Sequence, residues 1–214
     1  MKEFKSMFHI YIVISYSNTV VGRLIRERAK LKFWNRYDGD CYSHVSLSLD
    51  SRLNNMMSFA RKQLHNPLIS GLIREDIHTG VFGFHPDQNQ MAVFALPVTC
   101  QQYQSICRRM AQDWTRRDQL KYNFLGLFSM LLAGKGIARE NHYFCSQWVA
   151  EILSENSFDL RLNKKPCNIR HFDLYAALHD YMIYEGKIVD YPLYNSVSTE
   201  DEKYARTNYT SCIL

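Results

Sequence analysis

The chain has 214 residues, of which 46% are hydrophobic and 22% are charged, a balance typical of one compact globular domain and not of a disordered chain. Its longest apolar runs, residues 8–14 and 124–133, are far shorter than the roughly 20 residues that span a bilayer, so no membrane span is predicted. The first residues lead into strand-like sequence without a signal-peptide pattern, and we therefore expect a cytoplasmic protein. The formal net charge of +5 is spread along the chain and by itself identifies no anionic partner.

The six cysteines are scattered and form no Cys-x-x-Cys pair, which argues against a zinc site or a thioredoxin motif. The histidines at 65, 78 and 85 have no zinc-like spacing either. We therefore expect reduced thiols, most of them in the core, with no metal and no cofactor.

The first half of the chain is predicted to form strands, one helix and one loop. Residues 8–16 are β-branched and aromatic and predict a buried strand. A helix with an apolar face is predicted after Ser17 or Asn18. Residues 43–50, SHVSLSLD, alternate strictly, so that His44 lies on the polar face of a second strand. Residues 56–60 are the predicted return strand of a hairpin, and residues 61–80, with Pro67, Gly71 and Gly80, are predicted to be loop.

The second half is predominantly helical. Residues 90–98 predict a strand, and Thr99 is a predicted N-cap for the helix that follows. Residues 123–133 are nearly all apolar and predict a buried helix that ends at Gly134. Further helices are predicted over residues 143–156 and 169–181. The arginines of the helix after Thr99 indicate a solvated face more than a nucleic-acid footprint, so no nucleic-acid partner is predicted. The whole chain, 1–214, is predicted to be one domain, with residues 200–214 a flexible polar tail.

Cys145 and His44 are the candidate catalytic pair. Cys145 falls in the first turn of a predicted helix, where unpaired backbone amides and the helix dipole favour a thiolate. The backbone N–H of such a residue can also stabilise the oxyanion of an acyl-transfer intermediate. A histidine on a strand packed against that helix can serve as the base, and His44 is the best-placed candidate.

The segments SHVSLSLD (43–50) and YFCSQWVAEIL (143–153), about a hundred residues apart, resemble the permuted papain-like amidases of the YiiX-like branch of the NlpC superfamily. In that family a strand beginning Ser-His-Val precedes a helix beginning Tyr-x-Cys-Ser. The resemblance covers residues 8–60 and 120–180. It implies an α+β, circularly permuted papain-like fold, with an antiparallel sheet or small barrel packed against the helix that carries the nucleophile.

The resemblance assigns Cys145 as the nucleophile and His44 as the general base. The family commonly places a polar residue, often Glu, on the strand after the histidine strand, and the matching position here falls near Ser58. Serine orients an imidazole without supplying charge. Asp50 ends the histidine strand and is a lower-ranked alternative. Arg61 is a candidate for binding a substrate carboxylate or phosphate, or is simply a loop charge.

Tyr143 is a candidate for lining the site, or it anchors the helix entry. The sequence therefore predicts a cysteine hydrolase or acyltransferase acting on an amide, ester or thioester, with a small-molecule, peptide or lipid substrate. The alternative is a module on the same scaffold that binds a peptide or lipid without turnover. The oligomeric state is left open.

Overall fold

The computed structural model describes residues 8–16, 42–63, 66–83, 85–160 and 162–194. The eight strands of the sheet are β1 (Phe8–Tyr16), β2 (His44–Ser48), β3 (Met56–Gln63), β4 (Asn66–Glu75), β5 (Gln90–Val98), β6 (Lys121–Tyr122), β7 (His142–Tyr143) and β8 (Met182–Lys187). The α-helices are α1 (Gly80–Gly83), α2 (Cys100–Thr115), α3 (Phe124–Ala133), α4 (Cys145–Glu155) and α5 (His171–Leu178). Short 3-10 turns cover Pro166–Asn168, His179–Tyr181 and Ile188–Asp190.

The strands form one mixed sheet in the order β7-β6-β4-β3-β2-β1-β5-β8. All pairings are antiparallel except β6 with β7, which is parallel. β1 lies near the centre and pairs with β2 on one side and β5 on the other. The fold class is therefore α+β, as predicted.

The main core lies on one face of the sheet, where α2, α4 and α5 cover it. Val45 and Leu47 of β2 are fully buried there together with Trp148 of α4. A smaller cluster that includes Val13, Met56 and Val93 lies on the opposite face. The alternation predicted for residues 43–50 is therefore confirmed for Val45 and Leu47, which place α4 directly against the histidine strand.

Several local predictions are confirmed. β1 and β5 have the predicted bounds, and the Thr99 side chain caps α2 by accepting from the Gln102 amide. α3 ends at Gly134, which adopts the left-handed conformation. The predicted helix after Ser17 and the predicted flexible tail lie outside the described residues.

The predicted loop over residues 61–80 is wrong. β3 continues to Gln63, and Asn66–Glu75 forms β4, which pairs with β3 in antiparallel register. Pro67 and Gly71 suggested a loop, but a proline is tolerated near the start of a strand. Gly71 allows a close approach, because a Cβ there would lie 3.0 Å from the Lys62 side chain.

The prediction that α3 is buried is wrong for one face of that helix. Gly126 and Met130 are buried, whereas Leu125, Phe128 and Leu132 are exposed by 54%, 60% and 73%. An apolar sequence predicts burial only where another element is present to cover it. Separately, no helix in the described part of the chain is long and apolar enough to cross a membrane.

Candidate active site

His44 and Cys145 come together where their two elements begin. His44 is the first residue of β2 and Cys145 is the first residue of α4. The Cys145 side chain lies close enough to the imidazole to help raise the pKa of His44. The structure therefore brings together the two residues that the sequence predicted as a catalytic pair, although 101 positions of chain separate them.

The start of α4 is not capped by a side chain, unlike the starts of α2 and α3. Its N-cap residue is Phe144, whose side chain makes no capping hydrogen bond. The first amides of a helix have no intrahelical acceptor, and at α2 and α3 a side chain of the N-cap residue accepts from one of them. At α4 no such side chain competes for these amides, which leaves them available to an anion at Cys145.

Glu75, the last residue of β4, is the acidic partner of His44. The His44 Nε2 atom lies 3.0 Å from both Glu75 carboxylate oxygens. The exposed fractions of the two side chains are 14% and 6%. The Ser46 hydroxyl also donates to Glu75, at 2.6 Å from Oε2. Because Glu75 engages Nε2, the ring nitrogen left for Cys145 is Nδ1.

The neighbours of His44 control its protonation. Burial alone would lower the pKa of His44, but the Glu75 carboxylate and, after it, the interaction with Cys145 outweigh burial and raise the pKa to about 10. Burial would likewise raise the pKa of Glu75, yet the charge of His44 and hydrogen bonds from His44 and Ser46 lower it. The arrangement thus favours an imidazolium beside a carboxylate at neutral pH.

The positive charge of His44 also affects the pKa of His171, the first residue of α5. Burial is the main cause that lowers the pKa of His171 to about 4. The Asp173 carboxylate would raise this pKa, whereas the positive charges of Arg170 and His44 lower it further. At neutral pH His171 is therefore neutral, and His44 is the cationic histidine of this pair.

Ser58 does not take the place predicted for it at the imidazole. Its hydroxyl is fully buried and forms no well-aligned hydrogen bond, although it lies close enough to Glu75 to help lower the pKa of that carboxyl. The hydrogen bond expected from Ser58 to His44 is made by Glu75 instead. Asp50 accepts from Ser48 at the far end of β2.

Tyr122 links Arg61 to Cys145 electrostatically. Burial lowers the pKa of Arg61, and the interaction with Tyr122 opposes that shift. Burial raises the pKa of Tyr122, the charge of Cys145 raises it further, and Arg61 lowers it. Arg61, Tyr122 and Cys145 thus form one electrostatically connected group, and the proposed substrate-binding role of Arg61 stays a prediction.

Tyr143 lies in β7 rather than in the helix. Its ring packs against Phe59 at a centroid distance of 5.2 Å. Burial raises the pKa of Tyr143, and among nearby charges Glu151 has the largest effect and Arg109 the next. Its electrostatic neighbours are therefore charges of α2 and α4. This placement matches the anchoring alternative, and a contact with substrate stays a prediction.

Glu75 and Tyr122 were missed by the sequence reading. Glu75 lay in the segment predicted as loop, and its signal was the apolar run LISGLI that precedes it. That run belongs to β4, and the pairing of β4 with β3 places Glu75 opposite Met56 and next to the polar side chains of β2. Tyr122 carried no signal, because its strand has only two residues.

Within the described ranges, no three His, Cys, Asp or Glu side chains are placed to hold a metal ion. Comparison with known proteins found no matching family model, no matching curated protein and no matching solved structure.

Proposed function

We propose that the protein is a cysteine-dependent hydrolase or acyltransferase acting on an amide, ester or thioester, built on a circularly permuted papain-like fold. The observation that carries the proposal is the chain of contacts from Cys145 to His44 to Glu75 at the uncapped start of α4. The order of the residues, with histidine before cysteine, agrees with the resemblance to the YiiX-like amidases.

The raised pKa of His44 makes a thiolate and imidazolium pair the reactive form. In the proposed reaction the Cys145 thiolate attacks the substrate carbonyl, and amides at the start of α4 bind the oxyanion. His44 gives its proton to the leaving nitrogen, oxygen or sulfur as the acyl-enzyme forms. Water or a second acceptor then loses a proton to His44 and attacks the acyl group, which releases the Cys145 thiolate.

Thiol alkylation tests the pair, and Cys100 is a matched control. Cys100 is also the first residue of a helix, and it is exposed, but Thr99 caps that helix. At about pH 6 an ordinary thiol with a pKa of about 8.5 is less than roughly 1% thiolate. We expect iodoacetamide to modify Cys145 at least about tenfold faster than Cys100 at this pH, and His44→Ala to remove the difference. Peptide mass spectrometry measures both rates.

A reaction with p-nitrophenyl acetate then separates an enzyme from a module that binds without turnover. The enzyme predicts an acetyl group on Cys145 in the wild type and none on Cys145 in His44→Ala. Cys145 is only 8% exposed, which is the observation that favours the binding module. Alkylation of Cys145 no faster than that of Cys100, together with the absence of an acetyl adduct, would reject the catalytic proposal in favour of the module.

A further inference from the structure

The surface of α3 is apolar where it faces solvent. Leu125, Phe128 and Leu132 lie at helical spacing on one face, and each is more than half exposed. Ile137, shortly after the helix, is 42% exposed. Together these four residues form what we call the α3 surface. Exposed apolar side chains grouped in this way are typical of interaction sites.

Basic residues flank the α3 surface on both sides along the chain. Residues 119–140 include three basic residues, Lys121, Lys135 and Arg139, and one acidic residue, Glu140. All three side chains are exposed, and within the described part of the chain none forms an ion pair. Exposed apolar side chains with more basic than acidic residues beside them in the chain are suited to the surface of an anionic bilayer.

The same charges argue against a second copy of the chain as the occupant. A two-fold dimer brings identical surfaces together. Here it would place three cations and one carboxylate of one copy against the same set of the other, and surfaces of like net charge repel each other.

We propose that the α3 surface docks the protein on an anionic lipid bilayer. Leu125, Phe128 and Leu132 enter the boundary between the headgroups and the acyl chains. Lys121, Lys135 and Arg139 contact the lipid phosphates and carboxylates. Docking does not depend on the proposed chemistry, so a Cys145→Ala variant binds vesicles as the wild type does.

Flotation with phospholipid vesicles tests this surface. We expect the wild type to bind vesicles of phosphatidylcholine mixed with phosphatidylserine more tightly than vesicles of phosphatidylcholine alone. The triple change Leu125→Gln, Phe128→Gln and Leu132→Gln is expected to lower the partition coefficient at least about tenfold, since each side chain loses its transfer into the interface. Added salt is expected to weaken binding to the mixed vesicles.

The control uses exposed apolar residues elsewhere. Tyr181 and Ile183 are 43% and 54% exposed, and their change to Gln is expected to leave vesicle binding unchanged. All variants alter exposed side chains, and circular dichroism compares their folding. Binding that is unaffected by the triple change would overturn the proposal. So would a wild type that is dimeric by light scattering, fails to bind vesicles and becomes monomeric in the triple variant.

Discussion

Glu75 carries a negative charge that can stabilise a protonated His44, and Ser58 does not. A carboxylate within 3.0 Å of Nε2 stabilises the imidazolium, whereas a hydroxyl orients the ring without this stabilisation. The Ser46 hydroxyl donates a hydrogen bond to Oε2 of Glu75 and thereby orients the carboxylate toward the imidazole. The third member of the candidate site is therefore Glu75, supported by Ser46 and Ser58.

Replacing Glu75 by Gln is expected to lower the pKa of His44 from about 10. Loss of a neighbouring opposite charge typically changes a histidine pKa by about one to three pH units, and burial then acts against the imidazolium with less opposition. An NMR titration of the His44 ring measures the midpoint directly.

Ser58→Ala is the matched comparison. Because Ser58 acts on Glu75 and not on His44, its removal is expected to change the His44 midpoint much less than Glu75→Gln does. An equal effect of the two substitutions would contradict the assignment of Glu75 as the main partner.

At the scale of elements, the position of α4 depends on a buried charge in α2. Asp113 is fully buried. Its Oδ2 accepts from the Trp148 indole N–H at 2.8 Å and from Arg109 at 2.9 Å, and its Oδ1 accepts from Arg116 at 2.7 Å. Trp148 also packs against Phe59 of β3. One carboxylate thus joins α2 to the helix that begins with Cys145.

Asp113→Asn is expected to lower the free energy of unfolding by about 3 kcal/mol, because it removes the fully buried carboxylate that pairs with Arg109 and Arg116 and leaves Arg109 only the more exposed carboxylates of α4. Urea denaturation measures this loss. The control is Glu155→Gln, which alters another partner of Arg109 that is 44% exposed. Exposed pairs contribute little, so a change below about 1 kcal/mol is expected there. An Asp113→Asn variant as stable as the control would show that the charge does not hold α4 in place.

The elements also show where local sequence patterns suffice. Strand alternation predicted β2 correctly because Val45 and Leu47 face the main core, although Ser46 and Ser48 on the other face are buried as well. Prediction failed for β4, where Pro67 and Gly71 interrupt the pattern and pairing with β3 compensates. It failed for the exposed face of α3, because composition reports that a helix is apolar and does not report what covers it.

At the scale of the whole molecule, the His44 and Glu75 pair links stability to pH. The pKa of His44 is raised from 6.5 to about 10 in the folded protein. Its stabilising contribution is therefore fully present below pH 6.5 and is lost as pH rises toward 10. The lowered pKa of Glu75 acts in another window, below its ordinary value of 4.5, where stability is lost as pH falls.

To keep the thiol out of the titration, Cys145→Ala is compared with the triple variant Cys145→Ala, His44→Gln and Glu75→Gln, and we expect their stability difference to shrink as pH rises from 6.5 toward 10. The slope is at most about 1.4 kcal/mol for each pH unit. Urea denaturation of both proteins across this range measures it, and the subtraction removes titrations that the two proteins share. A difference that stays constant or grows with pH would contradict the raised pKa.

The sequence by itself determined much of this protein. It predicted the strand that carries His44, the helix that has Cys145 in its first turn, and the pairing of these two residues, since each rests on a local period or on a short motif. The tertiary structure alone decided that Glu75, 31 positions from His44, completes the group. It also decided that one face of α3 stays open. Both depend on which distant segments pack together, and strand pairing and burial are set by contacts across the whole chain, which local patterns do not record.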